Sequence, residues 1–243
     1  MQRQKPEILF LHGYRGAPIG VAAIADELRK KDYAVHTPAV PPFAGAELMP
    51  TYSPQSYANF VKDYITEHKL DKPVLIGHSM GSIVAAMVAS QYPDLINDKI
   101  ILLSPISKRT PRALSVLSMT AAYLPRTLVD YVTTKVLYVG KDRRELRNIL
   151  QITHDCTNAT SAPRKDLARA GRFSADHGIL ELDFDKNTLL LAGAKDRLVK
   201  QKDTKKLANK LKAELIFLDD TGHIHNYEKP QETAAEIVKF LEK

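Results

Sequence analysis

The chain has 243 residues, 44% hydrophobic and 26% charged, a size and balance that suit one large domain, or a core domain with an insertion, and exclude a disordered or low-complexity chain. Cys156 is the only cysteine, which excludes an intrachain disulfide and suits a reducing compartment. The formal net charge of +7 raises a nucleic-acid or anionic-membrane partner, but the densest basic run, "KQKDTKKLANKLK" from Lys200 to Lys212, spaces Leu207 and Leu211 four apart and reads as an amphipathic helix with a solvated basic face.

Strand-length apolar runs then alternate with helical patterns along the chain. "EILFLHG" is the first buried strand; its apolar run, Ile8 to Leu11, is too short for a signal segment or a membrane span, so a cytoplasmic protein without stable membrane insertion is expected. A helix follows around "IGVAAIADELRKK", then a strand in "YAVHTPAV", after which Pro41, Pro42 and Gly45 break the chain. "SPQSYANFVKDYITEHKL" reads as a helix capped by Ser53 with Pro54 in the first helical position. "KPVLIGHS" is a strand, "MGSIVAAMVASQYP" its following helix, and "DKIILLSP" another strand.

After Pro105 the rhythm changes. "RALSVLSMTAAYL", "RRELRNILQIT" and "RKDLARAG" suit helices, and only "KVLYVG" offers a possible strand. Strands resume with "NTLLLAGAKD", the basic helix, "AELIFLDDTGH" and a final helix from about Gln231. This predicts an α/β core over residues 1–104 and 186–243, a mostly parallel sheet flanked by helices, with a mainly helical cap inserted at 105–185. Such an insertion sits at the carboxyl ends of the strands, over the crevice where ligands bind.

Within "VLIGHSMGSIVAAMVASQYP", Gly77-His78-Ser79-Met80-Gly81 matches G-x-S-x-G at a strand-to-helix junction. Glycines two residues either side of the serine allow a sharp, strained turn, because bulkier side chains would collide with the neighbouring strand and helix. The helix starting at Met80 adds its positive end and unpaired amides, which favour an oxyanion beside the serine. A serine hydroxyl is a poor nucleophile at neutral pH, so a histidine must take its proton and a carboxylate must orient that histidine. Asp196 in "LLLAGAKDRLV" and His223 in "LDDTGHIHNYEKP" each follow a late strand, in the chain order nucleophile, acid, histidine.

With "FLHGYRG", "GHSMG", "AGAKDRLV" and "GHIHNYEKP" in this order, the sequence resembles the α/β hydrolase fold superfamily. The likeness is to its capped members, which include carboxylesterases, monoacylglycerol-lipase-like enzymes and carbon–carbon bond hydrolases. The resemblance spans nearly the whole chain but matches the insert to no particular subfamily. It implies Ser79 as nucleophile, Asp196 as orienting acid, His223 as general base, and an oxyanion hole from the backbone N–H groups of Met80 and Tyr14. Gly13 and Gly16 would let the backbone approach a substrate closely. Relatives that form an alkyl-ester intermediate carry a carboxylate at the elbow, so the serine excludes their chemistry and leaves acyl transfer.

Alternatives stand beside these assignments. Asp219 or Asp220 could serve as the acid, though position in the order of motifs favours Asp196; His225 could serve as the base, though the residue after Gly222 fits better. His12 and His78 read as structural, Cys156 as an inert buried residue, and two nearby histidines alone do not make a metal site. The expected activity is a cofactor-free serine hydrolase cleaving a small-molecule carboxylic ester, with thioester, amide or carbon–carbon cleavage as alternatives on the same three residues. From a different class, a ligand-binding receptor could retain the fold without turnover. From Pro105 to Asp185 there are 13 Lys plus Arg against 9 Asp plus Glu, an excess that reads first as a solvated surface and second as a preference for an acidic substrate. Oligomeric state is not encoded in any motif.

Overall fold

The computed structural model describes residues 5–110 and 121–243. Its six strands are β1 (Ile8–Leu11), β2 (Val35–His36), β3 (Val74–His78), β4 (Lys99–Leu103), β5 (Asn187–Gly193) and β6 (Glu214–Leu218). They form one sheet in the order β2-β1-β3-β4-β5-β6, with every neighbouring pair parallel. Parallel neighbours need crossovers, and helices supply them on both faces. Alternate residues consequently feed two separate cores. Leu9, Leu11, Leu75, Ile100, Leu102 and Leu190 lie in one, and Ile8, Phe10, Val74, Ile76, Ile101 and Leu191 in the other. With both faces covered, the strands read as continuous apolar runs rather than alternating ones.

Helix α1 (Ala22–Arg29) and the last helix cover the second core, while α2 (Pro54–Glu67) and α3 (Met80–Gln91) cover the first. Ser53 Oγ accepts the Ser56 N–H at 3.1 Å, with Pro54 at the first position of α2, as the sequence predicts. Helix α3 is apolar on every side because it lies wholly inside, with Met80 to Ala89 all buried. Pro93 follows it and cannot continue it.

Between β4 and β5 the described residues form α4 (Arg126–Leu137), α5 (Arg143–Asn158) and α6 (Arg164–Asp176). The helix expected over 112–125 falls mainly on residues outside the described ones. "KVLYVG" is not a strand: Lys135 to Leu137 close α4 and Tyr138 to Gly140 are irregular, since α4 supplies the hydrogen bonds that a lone strand there would lack. The strand in "YAVHTPAV" shortens to two residues at the sheet edge, where only β1 offers a partner. Helix α7 (Gln201–Leu211) is the basic helix, with Leu207 buried and its lysines outward. A short α8 (His225–Glu228) and α9 (Pro230–Leu241) complete the chain.

Candidate active site

Ser79, Asp196 and His223 leave the sheet from the carboxyl ends of β3, β5 and β6, the edge where parallel sheets expose their loops. Ser79 has φ 53° and ψ −117°, a conformation that L-residues populate sparsely and that is held only when the surroundings impose it. Its amide donates to Leu103 O at 2.9 Å, and its carbonyl accepts from Ser82 N at 2.9 Å. The glycines enforce the turn: a Cβ on Gly77 would overlap the Gly81 carbonyl, and one on Gly81 would overlap that of Leu11. These are the helix and strand collisions expected from the motif.

Three side chains meet in one hydrogen-bonded line. His223 Nδ1 lies 2.8 Å from Asp196 Oδ2, and Nε2 lies 2.9 Å from Ser79 Oγ. A carboxylate can only accept, so Nδ1 carries the proton and Nε2 accepts from the serine hydroxyl. The side chains of His223 and Asp196 are 2% and 1% exposed, which keeps water from competing for the line. Asp196 Oδ1 is occupied separately by the Leu198 and Val199 amides at 2.7 and 2.9 Å. Burial works against charge on Asp196, but the His223 ring and these donors outweigh it and hold the carboxyl below the usual range. The arrangement can draw a proton from Ser79 Oγ onto an imidazole whose orientation is fixed.

The competing residues lie elsewhere. Asp219 and Asp220 are exposed, and Asp220 pairs with Lys195 at 2.6 Å. His225 is buried in α8 with Nδ1 3.1 Å from Thr233 Oγ1. His12 donates from Nδ1 to Gly13 O at 2.9 Å and accepts the Val40 N–H on Nε2 at 2.9 Å. His78 donates from Nε2 to His223 O at 3.1 Å. Both bracket nearby loops, in keeping with their reading as structural residues. Burial pushes the Cys156 thiol up to about 11, in keeping with an inert residue.

Two positioning residues escaped the sequence reading. Ser104, at the end of β4, donates from Oγ to His223 O at 2.9 Å, the same carbonyl that His78 holds. Glu228 accepts the Gly222 N–H at 2.9 Å and fixes the loop just before His223. Only the place of Ser104 at a strand's carboxyl end could have drawn attention to it.

Met80 begins α3, where an amide N–H has no intrahelical acceptor. The loop carrying Tyr14 runs against the serine: a Cβ on Gly13 would lie 3.1 Å from Ser79 Cβ. Gly13 and Gly16 thus give room to the protein itself, since a Cβ on Gly16 would lie 2.9 Å from Gly13 O and from His12 Nδ1. The Tyr14 hydroxyl donates to Leu167 O of α6 at 3.2 Å.

The model of the alpha/beta hydrolase family matches residues 8–236. The uncharacterized hydrolase YugF of Bacillus subtilis (strain 168) is 23% identical, covering 96% of this chain and 89% of its own length. A thermophilic esterase from Thermogutta terrifontis superposes with a TM-score of 0.82 at 20% identity, covering 98% of this chain and 89% of that one. A bromoperoxidase from Bacillus anthracis gives 0.86 at 17% identity, covering 98% and 92%. At such identities the structural likeness establishes the fold, and differently named enzymes share it. Taken with the family match over nearly its whole length, the chain belongs to the alpha/beta hydrolase family.

Proposed function

We propose that this hydrolase cleaves a carboxylic ester of a small molecule through an acyl-enzyme on Ser79. The single observation supporting this most strongly is the line from Asp196 Oδ2 through His223 to Ser79 Oγ, at 2.8 and 2.9 Å. Ser79 Oγ attacks the carbonyl carbon while His223 Nε2 takes its proton, and the carbonyl π pair moves onto oxygen. The Met80 and Tyr14 amides hold that oxyanion. When the tetrahedral adduct collapses, the bond to the leaving alkoxide breaks and His223 returns the proton to it. Water then attacks the acyl carbon with His223 as base, releasing the acid and restoring Ser79. Asp196 keeps the imidazole in the required tautomer throughout. No cofactor enters this cycle.

The helices at 105–185 act in this reading as a cap that selects the acyl group. Small or medium esters of apolar acids are the proposed substrates, and the single cysteine makes the cytoplasm the proposed compartment.

Hydrolysis of p-nitrophenyl acetate and butyrate tests the assignment. Ser79→Ala and His223→Ala should each lower kcat by about 10⁴-fold or more, and Asp196→Asn by roughly 10⁴-fold. Asp220→Asn, at an exposed pair, should leave turnover unchanged. Equal turnover by Ser79→Ala and wild type would refute the proposal, and saturable ester binding without turnover by wild type would favour a receptor. A matched panel of esters, thioesters and amides decides the leaving group.

A further inference from the structure

Helix α4 is turned the wrong way round for a helix resting on a core. Its inward face carries Asp130 and Thr134 along with Val129, all buried. Its outward face carries Leu128, Tyr131, Val132 and Val136, which are 47–51% exposed. At 100° per residue these four, with Lys135, fall within an arc of about 140°. Tyr123 and Leu124, just before the helix, are exposed as well.

A polar lock holds this orientation. Asp130 Oδ1 accepts from Arg15 Nη2 at 3.0 Å and from Thr157 Oγ1 of α5 at 2.9 Å, while Thr134 Oγ1 donates to Thr153 Oγ1 of α5 at 3.3 Å. Rolling α4 to bury its apolar stripe would strand the Arg15–Asp130 pair, whose side chains are only 14% and 5% exposed. The outward stripe is therefore a fixed feature of the surface.

Positive charge adjoins the stripe. Lys135, Lys141, Arg143 and Arg197 line a depression at the carboxyl end of α4. Among the described residues none of these four has an acidic partner within ion-pair distance, and Lys135 Nζ instead lies 5.8 Å from the centre of the Tyr131 ring. The acid lining the same depression, Asp142, spends Oδ1 on the amides that begin α5.

An exposed apolar stripe beside unpaired cations fits one kind of partner. We infer that the outer face of α4, with Lys135, Lys141, Arg143 and Arg197, docks on an anionic lipid surface. The apolar side chains would enter the boundary between headgroups and acyl chains while the cations meet the headgroup charge. Against a second copy of this chain, the same face would set these cations against one another in a two-fold contact, in a molecule already carrying +7. Membrane contact of this kind needs no spanning segment, and no helix among the described residues is long and apolar enough to cross a membrane. The inference is independent of which bond the enzyme cuts.

The sequence contains no tryptophan, so Val132→Trp places one fluorescent indole on the stripe without background. With vesicles of phosphatidylcholine and phosphatidylglycerol, its emission should shift to the blue and the protein should co-sediment. Partition should weaken by about 100-fold or more on pure phosphatidylcholine, and it should weaken as salt rises. Leu128→Ser combined with Val136→Ser should lower partition by at least about tenfold, as should Lys141→Gln combined with Arg143→Gln. Unchanged circular dichroism melts would show that these surface variants fold. No co-sedimentation, equal binding to pure phosphatidylcholine, or binding untouched by the serine pair would overturn the inference. An indole already blue-shifted without vesicles, or a concentration-dependent dimer that shields it, would overturn it as well.

Discussion

Ser79 concentrates the local physics of the site. Its φ of 53° costs about 1–3 kcal/mol for a residue with a Cβ, and the contacts around Gly77 and Gly81 keep the chain there. Ser79→Gly removes both the proposed nucleophile and much of the strain. It should abolish ester hydrolysis while raising stability by about 1 kcal/mol after the greater freedom of glycine in the unfolded chain is counted. Thermal melts beside p-nitrophenyl ester assays check this, and a lower melting temperature would contradict the strain argument. The motif glycines were legible as residues because their spacing states the collision they avoid. Gly13 was legible as close-packed, but the sequence suggested a substrate as its neighbour, whereas Ser79 itself fills that space. Ser104 was illegible: nothing in "LLSP" says that its hydroxyl meets a carbonyl 119 residues away.

At the scale of elements, the helices between β4 and β5 are tied to the loop after β1. Arg15 pairs with Asp130 of α4, and Tyr14 donates to Leu167 O of α6. Arg15 also has a positive φ of 57°, so this loop is held in shape partly from above. Asp130→Ala leaves a mostly buried guanidinium without its acid and should cost about 3–5 kcal/mol in urea unfolding, whereas Asp130→Asn keeps an acceptor and should cost less. Equal stability of both variants and wild type would contradict the tie. Strands and core helices were readable because both faces of the sheet are covered and the apolar runs are continuous. Beyond Pro105, α5 and α6 were readable only as helices, and α4 was not read at all, its last residues passing for a possible strand in "KVLYVG". Their orientation depends on pairs such as Arg15–Asp130 and Thr157–Asp130, separated by 115 and 27 residues, and an amphipathic pattern alone would have put the apolar face of α4 inward.

Across the whole molecule, three buried histidines set the response to acid. Burial lowers His12 to about 4, against its hydrogen bond to Gly13, and lowers His78 to about 3, with His223 adding to the effect. Burial also holds His225 well below the ordinary value. In the unfolded chain all three return to about 6.5, so below that pH the unfolded state binds more protons than the folded one. Stability from these groups is therefore complete above about pH 7 and falls as pH drops from 6.5 towards 4, by up to about 4 kcal/mol per pH unit if all three act together. Urea midpoints that stay level between about pH 7 and about pH 5 would contradict the neutral, buried assignment. The proposed reaction rests on a covalent bond at one atom, Ser79 Oγ. A fluorophosphonate probe followed by peptide mass mapping reads that bond directly. One phosphonyl adduct is expected, on Ser79, absent from Ser79→Ala and strongly slowed in His223→Ala; an adduct on another residue, or equal labelling of Ser79→Ala, would contradict the proposed acyl-enzyme.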